Sequence, residues 1–293
     1  MNQYLNKPLM LHEASVPTFL NPDGHSDNQA GDRATIRVYG PLYHHSNFGL
    51  TYDMIEQQLN TALACGCSHI TLEFDSPGGT VSGAFSLAEK IYKSRQRARL
   101  TAIVNESCYS AAYLLASACH DILIPATGGC GSIGVISLHC SEAGLNDRIG
   151  LDYTIVSAGR RKADGNPFEP LADSARTAIQ NDVNTFYGLF CQTVARYRNM
   201  SASAIRSTEA GTFIGQDAVS AGLADRIGTV GGVEATGDGH MDLASMLKAD
   251  AQRRADLYHS NGRSKIPTKS DNPLIQDAIK RRQAHDKLFR KNA

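Results

Sequence analysis

His69-Ile70-Thr71-Leu72-Glu73-Phe74-Asp75-Ser76-Pro77-Gly78-Gly79 reads as a strand that runs into a glycine turn. The first six positions are mostly apolar or β-branched, and a Ser-Pro step followed by two glycines ends the run. Paired glycines let a backbone approach a ligand closely, or turn its N–H groups toward one. A second apolar run, Leu100-Thr101-Ala102-Ile103-Val104, leads through Ser107-Cys108-Tyr109 to Ser110-Ala111-Ala112-Tyr113, where a helical stretch begins. Ser110 therefore stands at a helix N-terminus, whose amides stabilise negative charge. A hydroxyl there, with a glycine turn nearby, supplies a nucleophile and the N–H donors that a developing oxyanion requires.

The same periodicity continues on both sides. Strand-like runs at Ala34 to Leu42, His69 to Phe74 and Leu100 to Val104 alternate with amphipathic stretches at Tyr52 to Leu63 and Gly83 to Lys93. That alternation predicts an α/β fold built of repeated β-α-β units. Short runs at Ile122 to Ile124, Gly134 to Leu138 and Tyr153 to Ser157 extend it, with helical stretches at Ala111 to Cys119 and Ser141 to Ile149 between them. After Pro170 the pattern becomes helical, over Leu171 to Asn199 and again at Gln216 to Ala224. Three parts are expected: an N-terminal extension over 1–30, a catalytic domain over 31–230, and a linker with a basic tail over 231–293.

Composition narrows the class. Lys and Arg balance Asp and Glu at 29 each, so net charge gives no argument for nucleic acid. The balance is uneven along the chain: residues 248–293 hold twelve Lys or Arg against five Asp, a net +7, which leaves −7 on the remainder. That tail is either a solvated end or a docking arm for an acidic partner. No apolar run approaches the roughly eighteen residues that a membrane helix needs. The first twenty residues are broken by Asn6, Lys7, Pro8, His12, Glu13 and Pro17, unlike a secretory signal. Seven cysteines are scattered without metal-ligand spacing, so neither a metal nor a cofactor is expected, and a reducing compartment fits.

A serine hydroxyl needs a base. His120 lies ten residues beyond Ser110, about 15 Å along a continuous helix, too far to serve. His139 ends a strand-like run and is a weak candidate. Lys162, in Ser157-Ala158-Gly159-Arg160-Arg161-Lys162-Ala163-Asp164-Gly165-Asn166-Pro167, reads by itself as part of a solvated basic turn. Cys108 lacks an evident activating base. Ser76, Ser107, Ser117 and Ser132 are expected to serve turns, caps or packing.

Four ordered blocks change the standing of Lys162. Asp75 to Gly79, Ser110 to Tyr113, Gly131-Ser132-Ile133-Gly134-Val135 and Gly159 to Pro167 resemble the signal peptide peptidase A family of Ser-Lys peptidases. Leu114-Leu115-Ala116-Ser117-Ala118 and Lys162 to Pro167 bring the resemblance nearest to the phage head-maturation proteases of the lambda protein C group. It covers about residues 30 to 230. It implies a crotonase-like or Clp-protease-like α/β core with a helical C-terminal half, often assembled into rings. It makes Ser110 the nucleophile, Lys162 the general base, and Gly78 or Gly79 with the Ala111 amide the oxyanion hole. An ordinary lysine, with a pKa near 10.4, must then be neutral near pH 7, at a cost of about 4 kcal/mol that burial has to offset.

The function so implied is a serine endopeptidase that cuts scaffold or other head proteins during phage capsid maturation. Its implied partners are scaffold, portal or capsid proteins and further copies of itself. Its implied location is the host cytoplasm and the procapsid. A soluble bacterial signal-peptide-type peptidase shares the same active-site residues. A crotonase-like acyl-CoA enzyme needs the paired amides and no serine, while a silent assembly protein needs neither.

Overall fold

The computed structural model describes residues 8–11, 32–46 and 49–229. The chain divides into two units, Met1–Gly239 and His240–Ala293, and every element below belongs to the first. The basic tail and all of the N-terminal extension except Pro8–Leu11 lie outside the described residues.

The core sheet grows from the strand that opened the sequence reading. β1 is Pro8–Leu11 and β2 is Arg33–Tyr39, followed by the short β3 (Leu42–Tyr43) and β4 (Leu50–Thr51). Helix α1 (Tyr52–Ala64) leads to β5 (His69–Ser76), β6 (Gly78–Thr80) and helix α2 (Ala84–Ser94). The chain then enters β7 (Arg99–Tyr109), α3 (Ala111–Ser117), β8 (Asp121–Ile124) and β9 (Gly129–Gly131). β2 and β7 flank β5, both parallel to it, as two successive β-α-β units demand. The alternating burial of β2 puts Ile36 and Val38 in the core, while β5 buries Leu72 and Phe74. Each fully buried aliphatic or aromatic side chain of this kind contributes about 1.5–3 kcal/mol.

β7 is longer than its sequence pattern suggested, and it forks. Its first half pairs with β8 from Thr101↔Asp121 to Ile103↔Leu123. Its second half pairs with β9 from Ser107↔Gly129 to Tyr109↔Gly131. Between the halves, the register against β5 jumps from Phe74↔Val104 to Ser76↔Cys108, so β7 carries a bulge at residues 105–107, where Glu106 has a φ of 77°. Bulges re-aim the strand beyond them. Here that strand delivers Ser110 into α3, all seven residues of which are buried. A helix apolar on every side belongs inside a core, and α3 packs against α2 and β7.

A second sheet sits at the same end as the glycine turn. Its order is β10-β1-β6-β3-β4, where β10 is Ile136–Ser137. The long helix α5 (Asp173–Arg198) and the short α6 (Ala202–Arg206) and α7 (Gln216–Ser220) supply the expected helical half. β11 (Thr212–Ile214) pairs antiparallel with β9, and β12 (Arg226–Ile227) pairs parallel with β8. The run at Tyr153 to Ser157 forms no strand, and Gly134 to Leu138 shortens to the two residues of β10. The reason is location. Residues 136–168 lie off the core, Val156 is 92% exposed, and Tyr153 stacks on Phe168 at 4.3 Å instead of entering a sheet. Helix α4 (Ala143–Ile149) buries only Asn146.

Candidate active site

Ser110 lies at the junction of β7 and α3 with φ 53° and ψ −118°, a conformation that L-residues adopt at a cost of about 1–3 kcal/mol. Its backbone is fully committed: the N–H donates to Gly131 O at 2.8 Å, and the carbonyl accepts from Leu114 N at 2.9 Å. The side chain is not. The residue is 1% exposed, and its Oγ is buried without a hydrogen-bond partner. A buried hydroxyl left unpaired costs about 1–3 kcal/mol, so the fold holds both backbone strain and an unsatisfied polar atom at one residue. Ala111, the first residue of α3, has an amide that the helix itself does not use.

The glycine turn is placed by β5. Because Ser76 pairs with Cys108, the turn and Ser110 leave the C-terminal ends of neighbouring parallel strands, the end at which open α/β sheets present ligand sites. Ser76 Oγ donates to Gly40 O at 2.7 Å and accepts from Gly78 N at 3.2 Å, the turn role expected of it. Gly78 has a φ of 104°, which excludes an ordinary side chain. Gly79 is excluded differently, since a Cβ there would stand 1.9 Å from Leu42 O on the adjacent β3.

The alternative nucleophile Cys108 and the alternative base His120 are disposed of by their surroundings. Burial drives the Cys108 thiol well above its ordinary pKa, with Cys130, Cys119 and Asp75 adding to the effect, so it stays protonated and unreactive. All seven cysteines are free, and no His, Cys, Asp and Glu cluster suited to a metal occurs among the described residues. His120 accepts a hydrogen bond from Leu100 N at 3.1 Å, near the start of β7 and so at the far end from Ser110. Burial, and then Arg95 and Arg99, lower its pKa. Ser117 Oγ donates to Leu114 O within α3. Ser132, with φ 52°, holds a turn by accepting from Gly134 N at 2.9 Å. Ser107 is a strand residue of β7 rather than the loop or cap residue anticipated.

Lys162 stands in the loop as the sequence suggested, but the loop is organised by its neighbours. Lys162 N donates to Gly159 O at 3.0 Å, Arg161 pairs with Asp164 at 3.0 Å, and Asn166 Oδ1 accepts from Phe168 N at 2.9 Å and from Glu169 N. His139 Nε2 meets Asn166 O at 3.0 Å, which ties it to this loop. The Lys162 side chain is exposed and makes no hydrogen bond to Ser110, so a single chain does not close the pair. Sequence reasoning missed Pro8–Leu11 altogether, having taken residues 1–30 as an extension. The apolar run Pro8-Leu9-Met10-Leu11 was its only signal, and four residues are too few to read as a strand without their partners.

A buried, unpartnered serine hydroxyl at a constrained strand-to-helix junction, beside a glycine turn at the C-terminal edge of a parallel sheet, is an arrangement suited to acyl transfer. The family model for peptidase family S49 matches residues 93–240, about half of the chain, and the chain belongs to that family. It is 39% identical over 201 residues to the head-tail preconnector protein GP5 of Enterobacteria phage P21, covering 66% of this chain and 40% of that protein. It is 37% identical over 158 residues to the capsid assembly protease C of Escherichia phage lambda, covering 54% of this chain and 36% of that protein. The match thus spans well under half the length of these relatives. Among solved structures, a ClpP1 mutant from Listeria monocytogenes aligns with a TM-score of 0.43 at 11% identity, covering 67% of this chain and 91% of that one. No described helix is long and apolar enough to cross a membrane.

Proposed function

We propose that the chain is a serine endopeptidase of phage capsid maturation, with Ser110 as nucleophile, Lys162 as general base, and the Ala111 amide with that of Gly78 or Gly79 as oxyanion hole. The observation that carries this reading is the buried, unpartnered Ser110 Oγ at a positive φ, on the strand beside the Gly78–Gly79 turn. Family membership supports the reaction class, and the two phage relatives support the setting. Neutral Lys162 Nζ takes the Ser110 proton as Oγ attacks a peptide carbonyl. The tetrahedral oxyanion is held by the two amides, the amine leaves with that proton, and water then releases the acyl group by the reverse proton path. Scaffold, portal or capsid proteins are the proposed substrates, inside a procapsid assembled in the host. In this reading a peptidase body over 31–230 carries a basic tail over 231–293.

Lys162 is exposed in the single chain. Bound substrate or a further copy of the chain covers its loop in the proposed working enzyme, which couples activity to assembly. The direct test is labelling by a serine-directed fluorophosphonate, followed by mapping of the modified peptide. Ser110 is the expected site, and Ser110→Ala is expected to abolish both labelling and cleavage of a co-expressed head protein while the fold is kept. Cleavage that survives in folded Ser110→Ala removes the serine from the mechanism and favours the assembly reading, and absence of labelling favours the acyl-CoA one.

A further inference from the structure

β1 comes first in the chain and is held on both edges within the second sheet. On one side Leu9 pairs with Thr80, Met10 with Gly79 and Leu11 with Gly78; on the other Pro8 pairs with Ser137 and Leu9 with Ile136. Both pairings are antiparallel. Without β1, β6 and β10 would face each other across a slot one strand wide, each presenting open backbone donors and acceptors. Unfilled edges of that kind are templates for an extended peptide. Backbone pairing is also tolerant of sequence, as a groove for polypeptide must be. The slot has a direction: its occupant runs antiparallel to β6 and reaches Gly78 at its C-terminal end. It therefore delivers an occupant to the turn that bears the proposed oxyanion amides.

We infer that the slot between β6 and β10 is the substrate groove of the proposed peptidase and that Pro8–Leu11 occupies it in cis, as a built-in competitor that incoming peptide must displace. The edges that flank the slot, Gly78-Gly79-Thr80 and Ile136-Ser137, carry no charged side chain, which assigns an extended, uncharged peptide as the preferred ligand. The segment is covalently part of the chain, so it competes at an effective concentration on the order of millimolar. Weak pairing suffices at that concentration. Competition of this kind raises the KM for substrate and leaves kcat alone, because the competitor is absent from the productive complex.

This inference rests on the peptidase reading, so the test has a catalytic arm and a binding arm. Leu9→Pro/Met10→Pro in the full chain removes one backbone donor facing each edge, since successive strand N–H groups point to opposite neighbours. A chain lacking residues 1–11 removes the competitor entirely. On an uncharged fluorogenic tetrapeptide both variants are expected to lower KM by about threefold or more with kcat unchanged. In the binding arm, a labelled synthetic peptide of residues 6–13 is titrated onto Ser110→Ala with and without residues 1–11. Saturable binding only to the truncated protein is expected, displaced by excess unlabelled peptide. If no protein turns over the tetrapeptide but the peptide still binds the truncated chain, the groove stands and the peptidase reading fails. An unchanged or raised KM, equal peptide binding to both proteins, or unfolding of both the proline and the truncated variants makes β1 an ordinary structural strand and overturns the inference.

Discussion

Ser110 concentrates three unfavourable features: a positive φ, a buried hydroxyl and no bond to satisfy it. Ser110→Ala removes the unpaired hydroxyl, and stability is expected to rise by up to about 1 kcal/mol in urea titrations even as activity is lost. Lys162 tests differently, because the proposed role requires loss of a proton and not merely positive charge. Lys162→Arg keeps the charge and cannot deprotonate, so it is expected to be as inactive as Lys162→Ala on a peptide substrate. Near-normal turnover by the arginine variant would end the dyad. Cys108→Ala should stay active, since a thiol whose pKa is raised by burial takes no part. The serine and its glycine partners were legible in the sequence because they are punctuation, a small residue opening a helix and two glycines closing a strand. The state of Lys162 was not, because exposure depends on which segments fold over which, and no local pattern records that.

At the level of elements, the β-α-β alternation was readable and the irregularities were not. β2, β5 and the first half of β7 lie where periodicity put them, since β2 and β7 pair along the two sides of β5 and the apolar residues of all three face the core. The fork in β7 and the failure of Tyr153 to Ser157 to form a strand depend on partners distant in sequence. The contact between β6 and β3 gives a sharp prediction. Gly79→Ala places a methyl group against Leu42 O and must shift one backbone or the other, an overpacking cost of about 1–3 kcal/mol. Peptidase activity should fall with it, as β6 carries the proposed oxyanion turn, whereas Gly66→Ala, strained by its φ of 77° but at the opposite end of β5, should leave activity intact. A second prediction concerns the anchor of α5. Arg198, its side chain 7% exposed, grips Asp225 through bonds of 2.8 and 2.9 Å, and Asp225 also accepts from Ile122 N at 2.7 Å. Burial alone would raise the Asp225 pKa, but these partners outweigh it and hold the carboxyl below its ordinary 3.8. A lowered carboxyl stabilises the fold above the unfolded value and loses that contribution as pH falls through the folded one. Asp225→Asn should therefore cost about 2 kcal/mol at pH 7, a figure tempered by the partial exposure of the carboxylate. The gap between variant and wild type should close below about pH 4 in denaturant titrations.

Over the whole molecule, the excursion from β10 to the start of α5 carries Leu138, Leu145, Ile149, Leu151, Tyr153 and Val156 on its surface, several about half exposed or more. Exposed apolar side chains in that number on a loop-rich region suit contact with a further copy of the chain, and Lys162 lies within the same excursion. Val156→Asp/Leu151→Asp is expected to shift the protein toward monomer in sedimentation and to lower specific activity at least tenfold, while thermal unfolding is little changed. Retained activity in a monomeric variant would separate catalysis from assembly.

The fork in β7 has a consequence for how the molecule tolerates change. Its two halves answer to different neighbours, β8 below the bulge and β9 above it, so strand slippage in one half is not handed on rigidly to the other. The lower half can carry the burden of holding the body together while the upper half carries only the aim of one hydroxyl. The body can therefore be retuned without disturbing the bearing of Ser110, and the short stretch 105–107 is the joint that makes the two separable.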